Sequence, residues 1–130
     1  MESRDRHAET IRHEETIRAP VDDVWTFLTD PGALSAWFGA DAWLELEPGG
    51  PVRFRFADGT ERRGTVIDVE RGRRLTWRWR ELHGAGLSLV VGAPSTVTIE
   101  LVPMRDETRV QISESPATPE ELPAAREAKR

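Results

Sequence analysis

The segment from Ile17 to Phe38, IRAPVDDVWTFLTDPGALSAWF, is the part of the sequence that most restricts the possible folds. Strand-like alternation breaks at Ala19-Pro20, and proline is well suited to the first turn of a helix. Helical spacing follows until Asp30-Pro31-Gly32, because a residue before proline avoids the α region. A second short helix is predicted over residues 33–38. The expected inward-facing residues are Val21, Val24, Trp25 and Leu28, with Phe27 beside them, and then Leu34, Trp37 and Phe38.

The segments on either side of this helical pair predict an antiparallel sheet of about six to seven strands. Residues 9–18 alternate but are polar on both faces, which favours an edge strand over a strand that lines a wet cavity. Later runs alternate with a period of two, and turn signals such as Asp58-Gly59 separate them. The stretch 83–94 is irregular, either a loop or a short extra strand. The remaining predicted strands are 42–47, 52–56, 60–70, 75–80, 96–102 and 108–113.

Strict alternation within the strand 60–70 predicts which of its residues share a face. The two predicted faces are Thr65, Ile67 and Val69 on one side, and Gly64, Val66 and Asp68 on the other.

Length and composition exclude several classes of protein. A chain of 130 residues fits one domain, and its net charge of −5 argues against a nucleic-acid partner. The absence of cysteine excludes disulfides and thiol catalysis. The charged first ten residues do not resemble a signal peptide, and no stretch approaches the ~20 apolar residues of a membrane span. We therefore expect a cytoplasmic protein, with a disordered segment 1–8, a domain 9–115 and a polar tail 116–130.

No residue constellation in the sequence predicts catalysis. A metal site needs several converging ligands, whereas His7, His13 and His83 fall in three unrelated segments. Asp22 and Asp23 are adjacent on a helix, so their side chains point about 100° apart and cannot easily act together as an acid–base pair. Their negative charges are better explained by the partial positive charge at the N-terminus of the helix, which they stabilise. We predict no catalytic residue, no metal and no cofactor.

The order of several motifs resembles a known superfamily. These motifs are APVDDVW, LTDPGALSAWF, the GG-VRFRF-DG hairpin, RGRRLTWRW, STVTIEL and TRVQISES, and together they cover Ile17 to Ser115. The chain is similar to the SRPBCC, or START-like, superfamily, and within it to the activator of heat-shock-protein-90 ATPase homologue-like family. The resemblance implies an α+β helix-grip fold, in which a long C-terminal helix crosses a curved sheet and closes a deep apolar cavity.

The C-terminal sequence departs from that pattern. After Pro116 the tail contains one large apolar residue, Leu122, and Pro119 and Pro123 interrupt it. A helix packed on a core needs three or four apolar positions in two turns. The long C-terminal helix is therefore predicted to be missing or truncated. Either the C-terminus is simply shortened, or the groove is open and serves for binding.

Seven residues are predicted to line a ligand cavity if the family architecture holds. Core packing is the simpler explanation for each of them taken singly, whereas the group as a whole is typical of a small-molecule pocket. Three functions stay open: binding of a hydrophobic small molecule; a protein-interaction module, either co-chaperone-like or dimerising through the uncovered sheet face; and an enzyme like the superfamily's cyclases or hydrolases. The predicted cavity residues are Trp37, Phe38, Phe54, Phe56, Trp77, Trp79 and Ile99.

Overall fold

One antiparallel sheet with two helices makes up the part of the protein that the computed structural model describes, residues 10–85 and 88–117. Its strand order is β1-β8-β7-β5-β4-β3-β2, with β6 paired to β5 alone. This confirms the predicted α+β helix-grip fold, with eight strands among the described residues. The elements are β1 (Ile11–Ile17), α1 (Val21–Thr29), α2 (Pro31–Phe38), β2 (Ala40–Leu44), β3 (Pro51–Phe56), β4 (Glu61–Glu70), β5 (Arg74–Ala85), β6 (Ser88–Val91), β7 (Ser95–Pro103) and β8 (Thr108–Pro116).

Local signals begin and end the two helices close to where the sequence predicts, although α2 begins at Pro31, two residues before the predicted start. Pro20 precedes α1 in an extended conformation, and acidic residues occupy the first turn. The Asp30 carboxylate accepts a hydrogen bond from the Ala33 N–H at 3.0 Å, which caps α2. Gly39, with a φ of 66°, ends α2 in the left-handed region. The buried residues of the two helices are Val24, Trp25, Leu28 and Leu34.

The two strands at the ends of the sheet order are β1 and β2. The predicted edge position of β1 is confirmed, and β1 pairs with β8 from Ile11 opposite Glu114 to Ile17 opposite Thr108. At the other edge, the Ser35 hydroxyl of α2 accepts a hydrogen bond from the Ala42 N–H of β2 at 2.9 Å. Helix α2 therefore covers part of an edge that would otherwise be open for pairing.

The predicted alternation along β4 is wrong beyond Val66. Val66 lies opposite Trp77, but the pairing then shifts, and Asp68 lies opposite Thr76. This irregularity at Ile67 inserts one extra residue, as a β-bulge does. Val69 consequently lies opposite the buried Leu75 and joins Val66 on the core side.

The core fills the space between the two helices and one face of the sheet, called the inner face here. Phe54, Trp77 and Val110 on that face are fully buried, together with Leu34 from α2. The opposite, outer face of the strands carries mostly polar and charged residues. The predicted disordered segment 1–8 and the tail from residue 118 onward, including any C-terminal helix, lie outside the described residues. No helix in the described ranges is long and apolar enough to cross a membrane.

Candidate functional site

The predicted cavity residues come together on the inner face, where most of them pack on one another. Phe54 lies 5.0 Å from Trp79 and 5.8 Å from Trp77, measured between ring centroids. The Phe38 ring of α2 makes an edge-to-face contact with the Phe54 ring, with 5.1 Å between the ring centroids. Offset and edge-to-face contacts of this kind stabilise a core by about 0.5–1.5 kcal/mol each beyond area burial. Phe54 and Trp77 have no exposed surface, so the centre of this aromatic cluster is core.

The other predicted cavity residues lie around that centre. Ile99 is buried between its cross-strand neighbours Leu75 and Ile112. Phe56 is half-buried at the end of β3, packed against the core. Trp37 is half-buried, contacts Phe38 at 5.7 Å, and also faces an open cavity. Their joint role as a ligand cavity stays a prediction.

An apolar cavity of about 440 Å³ lies between α1, the end of α2 and the end of β1. We call it the α1 cavity. Phe27 leaves 49% of its surface exposed there, although it is a large apolar side chain. Sequence reasoning placed Phe27 only beside the helical stripe and did not predict the contribution of β1. The residues that line the α1 cavity are Glu15, Ile17, Ala19, Asp23, Val24, Phe27 and Trp37.

A polar cluster centred on Glu114 occupies another part of the inner face. One oxygen of Glu114, Oε2, accepts hydrogen bonds from Trp79 Nε1 at 3.0 Å, Ser95 Oγ at 2.5 Å and Arg62 Nη1 at 3.2 Å. Arg62 also stacks over the Trp79 ring at 5.0 Å and lies 3.8 Å from Glu81. The Glu114 cluster, defined as Arg62, Trp79, Ser95 and Glu114, joins β4, β5, β7 and β8 and was not predicted from the sequence.

Two indole N–H groups in the described core are buried without a hydrogen-bond partner, Trp25 Nε1 and Trp77 Nε1. An unsatisfied buried donor costs about 1–3 kcal/mol. Both rings are nevertheless buried to at least nine-tenths. Burial of the large apolar ring therefore outweighs hydrogen bonding at these positions.

Titratable groups are scattered over the described residues. No group of three or more histidine or acidic residues in those ranges is placed to hold a metal ion. His13 is exposed on β1 and lies 3.7 Å from Glu15. The inner face offers apolar contact, with hydrogen bonding concentrated at the Glu114 cluster.

Solved structures share this architecture. A protein of Mesorhizobium loti, MLL2253, is 23% identical, with a TM-score of 0.70 over 93% of this chain and 86% of that one. DynU16, described as a putative protein in the dynemicin biosynthetic locus, is 26% identical with a TM-score of 0.67, over 92% of this chain but 42% of that one. CalU16 from Micromonospora echinospora is 26% identical with a TM-score of 0.61, over 87% of this chain and 64% of that one.

The curated proteins contain no match to this sequence. A family model, by contrast, matches residues 18–130, most of the chain. Its description is "Activator of Hsp90 ATPase homolog 1-like protein". This agrees with the motifs and with the helix-grip architecture of the sheet and helices. The chain therefore belongs to the activator of Hsp90 ATPase homolog 1-like family, within the SRPBCC superfamily.

Proposed function

We propose that this protein binds a hydrophobic small molecule in the α1 cavity, beside the aromatic cluster, without a chemical step. Membership of the family and the curved sheet support a ligand-binding domain in general terms. The narrower proposal is carried by one observation, the apolar α1 cavity. Its volume, about 440 Å³, falls in the range of roughly 300–1,000 Å³ that is usual for small-molecule sites. The description of DynU16 as a putative protein of a biosynthetic locus is consistent with a small-molecule ligand.

The walls of the α1 cavity favour an apolar ligand. Five of its seven lining residues are apolar, and two of these, Phe27 and Trp37, are aromatic. Phe27 is 49% exposed, so a ligand would remove about half of a phenylalanine side chain from water. Full burial of such a side chain contributes about 1.5–3 kcal/mol, and covering the exposed half therefore contributes about 1 kcal/mol.

The two carboxylates of the α1 cavity restrict the polar part of the ligand. Glu15 and Asp23 both line the cavity, and both are exposed acidic side chains. A ligand carboxylate would be repelled there, whereas a hydroxyl or an amine would find an acceptor. We therefore expect neutral or cationic apolar compounds to bind better than fatty acids of similar size.

Tryptophan fluorescence during titration with a panel of lipids and polyketides tests this proposal. Trp37 is the reporter, because it lines the cavity. Trp37→Phe should abolish most of the ligand-induced change. Trp43→Phe is the matched control, because Trp43 is 43% exposed on the outer face, and this variant should keep the response. Flat traces across the whole panel would contradict the proposal. Recovery of the bound compound unchanged in mass would support binding without catalysis.

A cavity-filling substitution gives a second test. Ala19→Leu introduces three carbon atoms into the α1 cavity and should weaken binding by about 10-fold or more. Ala36→Leu is the control, because Ala36 is exposed on α2 and away from the cavity. Circular dichroism should show that both variants fold. Equal affinity of the two variants would place the ligand elsewhere.

A protein-interaction module is the second candidate, and the edge strand β1 is the observation that favours it. Ile11 is 69% exposed and lies opposite Glu114, at the inner side of the sheet. A partner protein, or a second copy of the chain, would bury this residue. Light scattering at increasing concentration distinguishes the alternatives: a concentration-dependent dimer that Ile11→Ser disrupts supports an interface, and a strict monomer contradicts dimerisation.

A further inference from the structure

A row of basic side chains crosses the outer face of the sheet, on the side opposite the α1 cavity. Arg53 lies directly opposite Trp43 on β2 and opposite Arg63 on β4, and Arg63 lies opposite Arg80 on β5. Directly opposed residues of antiparallel strands point to the same face, so these side chains stand side by side. We call Trp43, Arg53, Arg63 and Arg80 the outer row.

The outer row concentrates positive charge in an acidic protein. Positions 53–80 contain nine arginines and four acidic residues, whereas the whole chain has a net charge of −5. Like charges directly opposite each other on a sheet are destabilising. Arg63 has one ion pair, with Glu61 at 3.3 Å. Across the described ranges, the guanidinium groups of Arg53 and Arg80 form neither an ion pair nor a hydrogen bond. Nothing in the fold therefore uses these two guanidinium groups.

A groove of about 740 Å³ lies along the same part of the outer face. The beginning of α2 borders it on one side, through Pro31 and Gly32. Three members of the outer row, Trp43, Arg53 and Arg63, border it on the other side, and Arg80 lies beyond the groove. Trp43 is 43% exposed there. The groove has the size of a small-molecule site.

The order of residues along the row indicates the chemistry of a ligand. Trp43 stands at one end, where a flat ring can stack on the indole. Arg53 and Arg63 follow, and guanidinium groups bind phosphate or carboxylate through paired hydrogen bonds. Asp41 also lines the groove and would repel an anion at the α2 side. Two strand spacings separate Trp43 from Arg63, a length of about 10 Å.

We propose that this outer groove is a second binding site, for an elongated aromatic anion of nucleotide size. Its ring packs on Trp43, and its phosphate or carboxylate lies between Arg53 and Arg63. The site is independent of the α1 cavity, because the two lie on opposite faces of the sheet.

Titration calorimetry of the whole chain with ADP as the probe tests this proposal, with adenosine and pyrophosphate as partial ligands. We expect saturable binding of ADP at millimolar concentration or below, and binding about 10-fold weaker for each partial ligand, since each lacks one half of the contacts. Pyrophosphate binding as tightly as ADP would overturn the role of Trp43. Adenosine binding as tightly would overturn the role of the arginines.

Charge-matched variants localise the site. The double substitution Arg53→Gln with Arg63→Gln should weaken ADP binding by about 10-fold or more. Arg71→Gln with Arg73→Gln removes the same charge in the exposed β4–β5 turn and should leave binding within about 2-fold, which is the size of a screened long-range effect. Equal losses in the two double variants, or no saturable binding of ADP, would overturn the proposal. Trp37→Phe should not alter ADP binding.

Discussion

Glu114→Ala tests whether the Glu114 cluster stabilises the sheet. The substitution removes the acceptor of three donors: Trp79 Nε1 at 3.0 Å, Ser95 Oγ at 2.5 Å and Arg62 Nη1 at 3.2 Å. These donors come from β5, β7 and β4, and Glu114 itself comes from β8. The loss of these hydrogen bonds should therefore weaken the contacts among four strands.

The size of the effect follows from the exposure of each group. A hydrogen bond to a charged group contributes about 1.5–3 kcal/mol. The side chains of Arg62 and Glu114 are 32% and 29% exposed, so water replaces part of the lost interaction. The Trp79 ring is 3% exposed, and its N–H would lose its partner. We expect the free energy of unfolding to fall by about 2–4 kcal/mol and Tm to fall by about 10 °C.

Urea and thermal unfolding, followed by circular dichroism, measure this change. Glu100→Ala is the matched control, because Glu100 is 48% exposed on the outer face, with its Oε2 3.6 Å from Arg74 Nη1. A surface ion pair of that kind contributes about 0–1 kcal/mol. Glu114→Gln, which keeps an acceptor oxygen, should recover part of the loss. Equal destabilisation by Glu114→Ala and Glu100→Ala would refute the reasoning.

Three further predictions concern separate elements. Gly64→Ala should destabilise the protein by about 3 kcal/mol or more in urea unfolding, because its Cβ would overlap the backbone of β5. The pKa of Asp58 should be lower than its ordinary value of 3.8, because the hydroxyl and N–H of Thr60 donate hydrogen bonds to its carboxylate. The ionised Asp58 carboxylate therefore stabilises the folded state fully at pH values above the pKa of Asp58 in the unfolded chain, and this contribution is lost as the pH falls through the lower pKa of the folded state. NMR titration should show a higher pKa for Asp58 in Thr60→Val than in the unsubstituted protein. Ser35→Ala should speed hydrogen exchange at the Ala42 amide by about 10-fold, since it removes the acceptor at the β2 edge.

Each of these predictions has a control. Gly72→Ala, at a turn with a φ of 78° and open space around it, should cost about 1 kcal/mol. Thr26→Val, far along the sequence on α1, should leave the pKa of Asp58 unchanged. Ser113→Ala should leave the Ala42 amide unaffected. The reasoning fails if Gly64→Ala is as stable as Gly72→Ala, or if a control variant reproduces the effect of its partner.

Local signals made the helices and most strands predictable. Pro20, Asp30-Pro31 and Gly39 impose backbone conformations on themselves and their neighbours, so the sequence alone locates the ends of α1 and α2. Strand β3, which precedes Asp58-Gly59, alternates cleanly because one of its faces is buried. In such segments, local preference and tertiary packing agree.

Long-range pairing decided the features that the sequence did not reveal. The bulge at Ile67 depends on how β4 aligns with β5, and the residues VIDVE alternate equally well without it. Strand β6 is an apolar run without alternation, so only its pairing with β5 separates strand from loop. The Glu114 cluster joins residues from positions 62 to 114.

The candidate site was partly predictable for the same reason. Alternation places Phe54, Trp77 and Trp79 on one face, and the structure brings them together. The alternation of residues along the strands does not predict how closely α2 packs against that face. Phe38 enters the aromatic cluster from α2, so the rings fill the space and the open volume moves to the α1 cavity.

The pairing of β1 with β8 has a consequence for folding kinetics. It joins residues 11 and 114, so the chain must close a very long loop before these contacts form. Hairpins such as β3–β4 close short loops and can form earlier. We expect β1 to dock late in folding and to detach first in the native state. Because Glu15 and Ile17 of β1 form one wall of the α1 cavity, transient detachment of this strand would set the rate at which a ligand enters and leaves.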